Sequence, residues 1–289
     1  MLIPDIWRGE FESGDAWRSA GTEISVFSVA TAAIDDAMMS SRHPFTFSAW
    51  CASCRELRLM RATWDFGSLG SGSVSPAWTE INACCCCGLN SRMRAVVAYL
   101  DRLGLRADAA IYTAEQVTPA YAALLKRYKN LIGSEYLGSD KAPGETVMRD
   151  GNKLRHEDMT HLSFPDRMFD AIVTMDVFEH IPDYCAAFRE CNRTLRTGGG
   201  LVFSIPFFPH QDKTHVRAVI ENGTVHHIEP PEYHGNPLGD GSLCFQHFGW
   251  DIFDSLRRAG FKKATAHLYW GPWQGHFGTP FFVFHAEKV

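Results

Sequence analysis

Beyond residue 104, short apolar runs alternate with segments whose apolar side chains recur every three or four positions. This is the pattern of βαβ units around a mainly parallel sheet. Residues 109–113 read as a first strand, 131–136 as a second, 153–157 as a short third and 169–175 as a fourth. Thr118-Pro119 opens a helix, proline being tolerated at the first helical position, and Tyr121, Leu124, Leu125 and Tyr128 share one of its faces. The polar, glycine-rich stretch 137–152 lacks the periodicity of a crossover helix. Cys185, Phe188, Cys191 and Leu195 define a helix over 182–195, which Gly198-Gly199-Gly200 ends before a fifth strand at 201–205. A polar, His- and Pro-rich insert spans 207–244. After it, Trp250, Phe253 and Leu256 mark a helix closed by Ala259-Gly260, and strands follow at 263–269 and 280–286.

The texture before residue 90 is different. An Ala-rich stretch over 26–39 has helical character, and residues 65–77 form a Gly/Ser loop between two cysteine clusters. Asn90-Ser91 supplies N-cap residues for a helix carrying Met93, Val96, Val97, Leu100 and Leu103 at core spacing, which would join two modules. The expected organisation is an N-terminal segment with a small module over 1–90 and an α/β domain over 91–289, interrupted by the 207–244 insert.

The chain has nine cysteines, unevenly spread. Cys51-x-x-Cys54 and Cys84-x-x-Cys87-Gly88 present two CxxC knuckles about thirty residues apart, a spacing that lets two turns offer four thiolates to one structural Zn²⁺. Cys85 and Cys86 leave open which thiols of the second run ligate. Unliganded buried thiols are the alternative, and a closed four-thiolate set would in either case leave no position for catalysis. A net charge of −5 gives no global footprint for nucleic acid or an anionic membrane. The first residues lack a basic segment followed by an apolar one, and no apolar run is long enough to span a bilayer, so a soluble, cytoplasmic protein is expected.

In an open α/β sheet, ligands lie beyond the carboxyl ends of the strands. Here an acid stands near each predicted strand end: Glu115, Glu135, Asp158 and Asp176. A carboxylate there can accept both hydroxyls of a ribose, and a second acid or amide can read an adenine edge. Any one of these acids, standing alone, would be a solvated loop charge or a helix cap; four in register favour a nucleoside site.

The segment Phe169-Asp170-Ala171-Ile172-Val173-Thr174-Met175-Asp176-Val177-Phe178-Glu179-His180-Ile181-Pro182 resembles the fourth strand and following loop of class I S-adenosylmethionine-dependent methyltransferases. Leu195-Arg196-Thr197-Gly198-Gly199-Gly200-Leu201 is similar to that family's turn before the fifth strand, and 158–165 to its adenine-side stretch. The resemblance covers residues 109–286. It implies a doubly wound, seven-stranded, mainly parallel sheet, with the N-terminal zinc-binding module appended. It also implies S-adenosyl-L-methionine as cofactor, held by Thr113, Glu115, Gln116, Glu135, Tyr136, Asp158, Met159, Asp176 and Val177. Glu135 would take the ribose hydroxyls, Asp158 and Met159 the adenine side, and Asp176 a place near the methionine moiety. One departure stands out. Where the family carries a glycine-rich loop after the first strand, this chain reads Tyr112-Thr113-Ala114-Glu115-Gln116-Val117-Thr118-Pro119, without glycine. Direct contacts from Glu115, Gln116 or Thr118 in an altered cofactor pose are then expected.

The insert would cover the substrate site, and its side chains are candidates for deprotonating an acceptor. His180, Tyr233, His234 and His247 are the candidate catalytic residues; an ordering role for His180 carries equal weight. The reaction these features point to is methyl transfer to an oxygen or nitrogen of a small molecule or glycan-like substrate, with no nucleic-acid or membrane partner and an undetermined oligomeric state. Two other readings stay open: an intramolecular alkylation or elimination releasing methylthioadenosine, and a non-catalytic binding protein on the same fold.

Overall fold

The structure, a computed structural model, describes residues 7–38, 43–63, 68–70, 73–75, 78–149 and 151–289. The chain divides into two units, one comprising residues 12–14, 106–265 and 284–289, the other residues 1–11, 15–105 and 266–283.

The larger unit is a mixed α/β structure around a central sheet. Strands β1 (Ala110–Thr113), β2 (Asn130–Gly133), β3 (Phe169–Met175) and β4 (Leu195–Ser204) run parallel in the order β2-β1-β3-β4. Helix α1 (Pro119–Leu125) connects β1 to β2, α2 (Tyr184–Thr194) connects β3 to β4, and α3 (Ile252–Arg258) follows the insert. The last residues of β5 (His276–Glu287) pair antiparallel with β4, from Phe203 opposite Phe284 to Gly200 opposite Glu287. The central strand β3 reads Phe-Asp-Ala-Ile-Val-Thr-Met and is buried at every position but Asp170, which explains its near-continuous apolar run. Its neighbours set the register, Ala171 facing Ile111 on one side and Gly200 on the other. The Thr118 hydroxyl accepts from Tyr121 N–H before Pro119, as predicted, while the Asp183 carboxylate accepts from Ala186 N–H and starts α2 two residues after the predicted 182.

Two expectations are revised by this architecture. The third strand does not enlarge this sheet. Residues 152–155 form a hairpin with 146–149, leaving one parallel bridge from His156 to Glu135. The triple glycine does not merely end a helix. It lies inside β4, where a bulge separates Leu195 opposite Phe169 from Gly200 opposite Ala171, and a Cβ on Gly200 would meet the His285 ring at 2.5 Å. The insert is built of short antiparallel pairs. Val219 and His226 face each other in one hairpin, Tyr233 and Leu243 in a second, and His215 pairs with His247 across its base.

The smaller unit holds an antiparallel sheet of Phe45–Cys51, Glu56–Ala62 and Ala83–Cys84, whose buried side chains include Ala49, Cys51, Met60 and Cys84. The helix Ser91–Leu103 starts at Asn90, which caps Met93 N–H, and ends at Gly104 in the left-handed region. Residues 21–38 form a helix, somewhat longer than the Ala-rich stretch suggested; Met39 lies outside the described residues. Of the Gly/Ser stretch 65–77, residues 68–70 and 73–75 pair as a short hairpin and the rest lies outside the described residues.

Candidate functional site

The loop after β1 is built without glycine, and β2 supplies the close approach instead. A Cβ on Gly133 would lie 2.6 Å from the Glu115 carbonyl oxygen and 2.4 Å from the Tyr121 ring, so the loop packs directly onto the backbone of β2. Gln116 and Val117 donate their backbone N–H groups to Glu135 Oε1 at 2.6 and 3.0 Å, and Thr118 Oγ1 donates to Glu115 Oε2 at 2.6 Å. The Gln116 amide bridges to the 152–155 strand, donating to Lys153 O and accepting from Arg155 N–H. Thus one oxygen of Glu135 orders the loop while the other takes no hydrogen bond among the described residues. Burial pushes the Glu135 carboxyl up, and the two N–H groups oppose it.

Around these strand ends lie the other residues singled out by sequence. Thr113 ends β1 with its hydroxyl buried and unpaired, and Thr174, one residue before the end of β3, is in the same condition. Val173 is the register partner of Thr113, so the two hydroxyls leave the sheet on opposite faces; Thr113, facing the same side as Gly133 of β2, is the one on the Glu135 side. Tyr136 is exposed, its ring 5.4 Å from that of His156. Asp158 is occupied locally, its Oδ1 accepting from the Thr160 N–H and hydroxyl, and the Met159 sulfur accepts from Tyr112 OH. Asp176, the residue after β3, holds φ at 53°, a conformation that Asp tolerates better than most residues, and Ser204 Oγ donates to its carboxylate at 2.7 Å. Val177 follows, half-buried, before the short turn Phe178–His180.

Beyond Asp176 the chain assembles a second group of polar side chains from two distant segments. The insert is stitched onto the 178–181 turn: Phe245 N–H donates to Glu179 O, and the Gln246 amide donates to the carbonyls of Phe178 and Ile181. Between them sit Glu179, fully buried, with His180 Nε2 and His234 Nδ1 each 3.6 Å from its Oε1. Both Glu179 oxygens lack a hydrogen-bond partner. The outer ring nitrogens are engaged: His180 Nδ1 with Leu243 O at 2.8 Å, and His234 Nε2 with Glu232 Oε1 at 2.9 Å. His247 Nε2 meets the same Glu232 oxygen at 3.2 Å, its ring stacked on Phe208, while Arg217 pairs with Glu232 Oε2 at 3.3 Å. Burial raises the Glu179 carboxyl, while Glu179 and Glu232 raise His234. His180 and His247 are both held below the ordinary histidine value by burial. Of the candidate catalytic residues, the structure therefore gathers His180, His234 and His247, and leaves Tyr233 exposed on the hairpin. Arg217 and the linking role of Glu232 had no sequence signal, since both depend on hairpin pairing.

In the smaller unit, the Cys51, Cys54, Cys84 and Cys87 sulfurs all lie within 4.8 Å of one another. Cys51 to Cys87 is 3.7 Å and Cys54 to Cys84 is 3.9 Å. Four sulfurs bonded tetrahedrally at about 2.3 Å would stand about 3.8 Å apart, so these residues fit a zinc ion. Cys85 and Cys86 are exposed. Each knuckle closes as a tight turn followed by a left-handed residue, Arg55 after Cys54 and Gly88 after Cys87. Buried Arg94 donates to the carbonyls of Asn82 and Leu89; burial disfavours its charge and Cys51, Cys84 and Cys87 oppose that, so a four-thiolate centre and this cation would offset one another.

Comparison with known proteins points at the parallel sheet. Residues 118–203 match the family described as "Methyltransferase domain". A curated relative, described as a probable S-adenosylmethionine-dependent methyltransferase of Mycolicibacterium smegmatis, is 36% identical over 63 residues, or 20% of this chain and 24% of the relative. This chain thus aligns with about a quarter of the length of that relative. Among solved structures, a Burkholderia thailandensis 1,6-didemethyltoxoflavin-N1-methyltransferase with bound 1,6-didemethyltoxoflavin and S-adenosylhomocysteine matches with a TM-score of 0.44 and 15% identity, covering 69% of this chain and 79% of that one. A Mesorhizobium loti S-adenosylmethionine-dependent methyltransferase matches with a TM-score of 0.41 and 15% identity, covering 67% and 98%.

Proposed function

From the methyltransferase domain that residues 118–203 carry, we propose that this protein transfers a methyl group from S-adenosyl-L-methionine to an oxygen or nitrogen of a small molecule. The observation that carries the reading is the succession of the Thr113 hydroxyl, Glu135 and Asp176 along the strand ends, with an imidazole–carboxylate group just beyond Asp176.

When bound, the cofactor supplies an electrophilic methyl on a cationic sulfonium. Glu135 Oε2 would accept a ribose hydroxyl while Oε1 keeps the loop closed. Asp176, fixed by Ser204, would face the positively charged methionine end. Asp158, Met159, Tyr136 and Val177 flank the same edge; Glu115, Gln116 and Thr118 would act mainly by shaping the loop. In-line transfer depends chiefly on proximity and alignment, and an acceptor hydroxyl or amine also needs a base. His247 suits the part of base, because Glu232 engages its Nε2, burial keeps the ring neutral, and Nδ1 remains to take the proton. The four thiolates would bind a structural zinc and take no part in transfer.

Mass spectrometry of the full chain incubated with S-adenosylmethionine and pools of hydroxyl- or amine-bearing metabolites tests the reading. S-adenosylhomocysteine with a methylated product supports it. Methylthioadenosine instead would favour the intramolecular reaction, and neither product would contradict both.

A further inference from the structure

We propose that Glu179, His180 and His234 form a binding site for a divalent first-row transition-metal ion, separate from the four-cysteine centre. Their ligand atoms lie within 4.8 Å of one another. The Glu179 carboxylate is fully buried and neither oxygen has a hydrogen-bond partner; without an ion its charge is met by His234 at 3.6 Å, whose proton a bound metal would replace. At 3.6 Å, the two imidazole nitrogens stand too far to hydrogen-bond to it, yet close enough to share an ion with it.

The outer nitrogens support this assignment. In metal sites a ligating histidine commonly donates its other N–H to a carbonyl or carboxylate, which fixes the tautomer and turns the lone pair toward the ion. His180 meets the Leu243 carbonyl at Nδ1 and His234 meets Glu232 at Nε2, so both rings direct the remaining nitrogen at Glu179. Two histidines and one carboxylate are the donor set of open transition-metal centres, and nitrogen donors disfavour Mg²⁺ and Ca²⁺. A second combination, Glu232, His234 and Cys244, is also close enough for an ion. It would use a Glu232 carboxylate already engaged by Arg217, His234 and His247, so the Glu179 set is favoured.

Three protein ligands leave positions for water or for an oxygen of the acceptor. This use of the ion rests on the methyl-transfer reading; the binding of the ion does not.

Cobalt titration of the metal-free full chain, without cofactor or acceptor, tests the proposal. One equivalent with intense thiolate charge-transfer absorption reports the cysteine centre. The proposal predicts a second equivalent lacking that absorption, accompanied by two exchangeable, paramagnetically shifted imidazole N–H resonances, one from each histidine. Glu179→Gln and His234→Ala should lose the second equivalent and keep the first; Cys51→Ser should lose the first and keep the second. No second equivalent in the unaltered chain, fewer than two shifted imidazole signals, or a second equivalent that persists in folded Glu179→Gln and His234→Ala would overturn it. Because no methyl transfer is read, failure here leaves the enzyme reading standing, and the converse holds.

Discussion

Burial holds the His247 imidazole below the ordinary histidine range even though Glu232 pulls the other way, with Arg217 and His234 adding to the depression. A base must be neutral to act, so kcat/KM should stay flat as pH falls through about 6.5, the unperturbed histidine value, and decline only below it. His247→Asn should lower kcat by about 10²- to 10⁴-fold. A plateau that breaks above the ordinary histidine value would count against His247. Asp35, in the smaller unit, offers a second residue-scale test. Its buried carboxylate accepts from Gly278 N–H, and burial raises its pKa to about 6. Between roughly pH 4 and 6 the folded chain keeps a proton that the unfolded chain releases. Stability should therefore fall by about 1–3 kcal/mol as pH rises through that window. Asp35→Asn keeps the acceptor and should remove this slope, as denaturant unfolding at several pH values would reveal.

At the scale of elements, Gly133 and the loop after β1 form one unit. Gly133→Ala would drive a methyl group into the Glu115 carbonyl and the Tyr121 ring, and should cost about 1–3 kcal/mol in thermal unfolding. S-adenosylmethionine affinity should drop with it, because the displaced loop donates the two N–H groups that orient Glu135. This arrangement was half legible in the sequence. The missing glycines were plain between Tyr112 and Pro119; the glycine on which this loop packs lies on the next strand, where only pairing brings it under the loop. Strand β3 and the caps at Thr118 and Asn90 could be read directly, because local periodicity and local hydrogen bonds define them. The hairpin at 146–155 and the ordered insert could not. Their alternation is short and polar, and their partners are set by pairing rather than by a buried face.

At the scale of the whole molecule, each unit has its own chemistry. The cysteine cluster of the smaller unit was legible because two CxxC turns fix their own geometry, whereas Arg94 was not, since nothing local distinguishes a buried arginine from a solvated one on that helix. If zinc holds this unit, a strong chelator should lower its melting temperature, Cys87→Ser should do so as strongly, and Cys85→Ser and Cys86→Ser should leave it unchanged. Equal effects from all three substitutions would argue against a defined centre. The Glu179 group needed two segments, the 178–180 turn and the 233–236 hairpin strand, to meet; the sequence displayed its residues but not their meeting.

The methyl-transfer reading of the larger unit depends on the ends of β1, β2 and β3 forming a site for S-adenosylmethionine, and isothermal titration calorimetry with the full chain puts that to the proof. One cofactor should bind per chain, with affinity reduced about tenfold or more in Glu135→Ala, as expected when a buried charge-assisted hydrogen bond worth about 1.5–3 kcal/mol is lost. No heat and no thermal stabilisation at millimolar cofactor, or binding indifferent to Glu135, would contradict it.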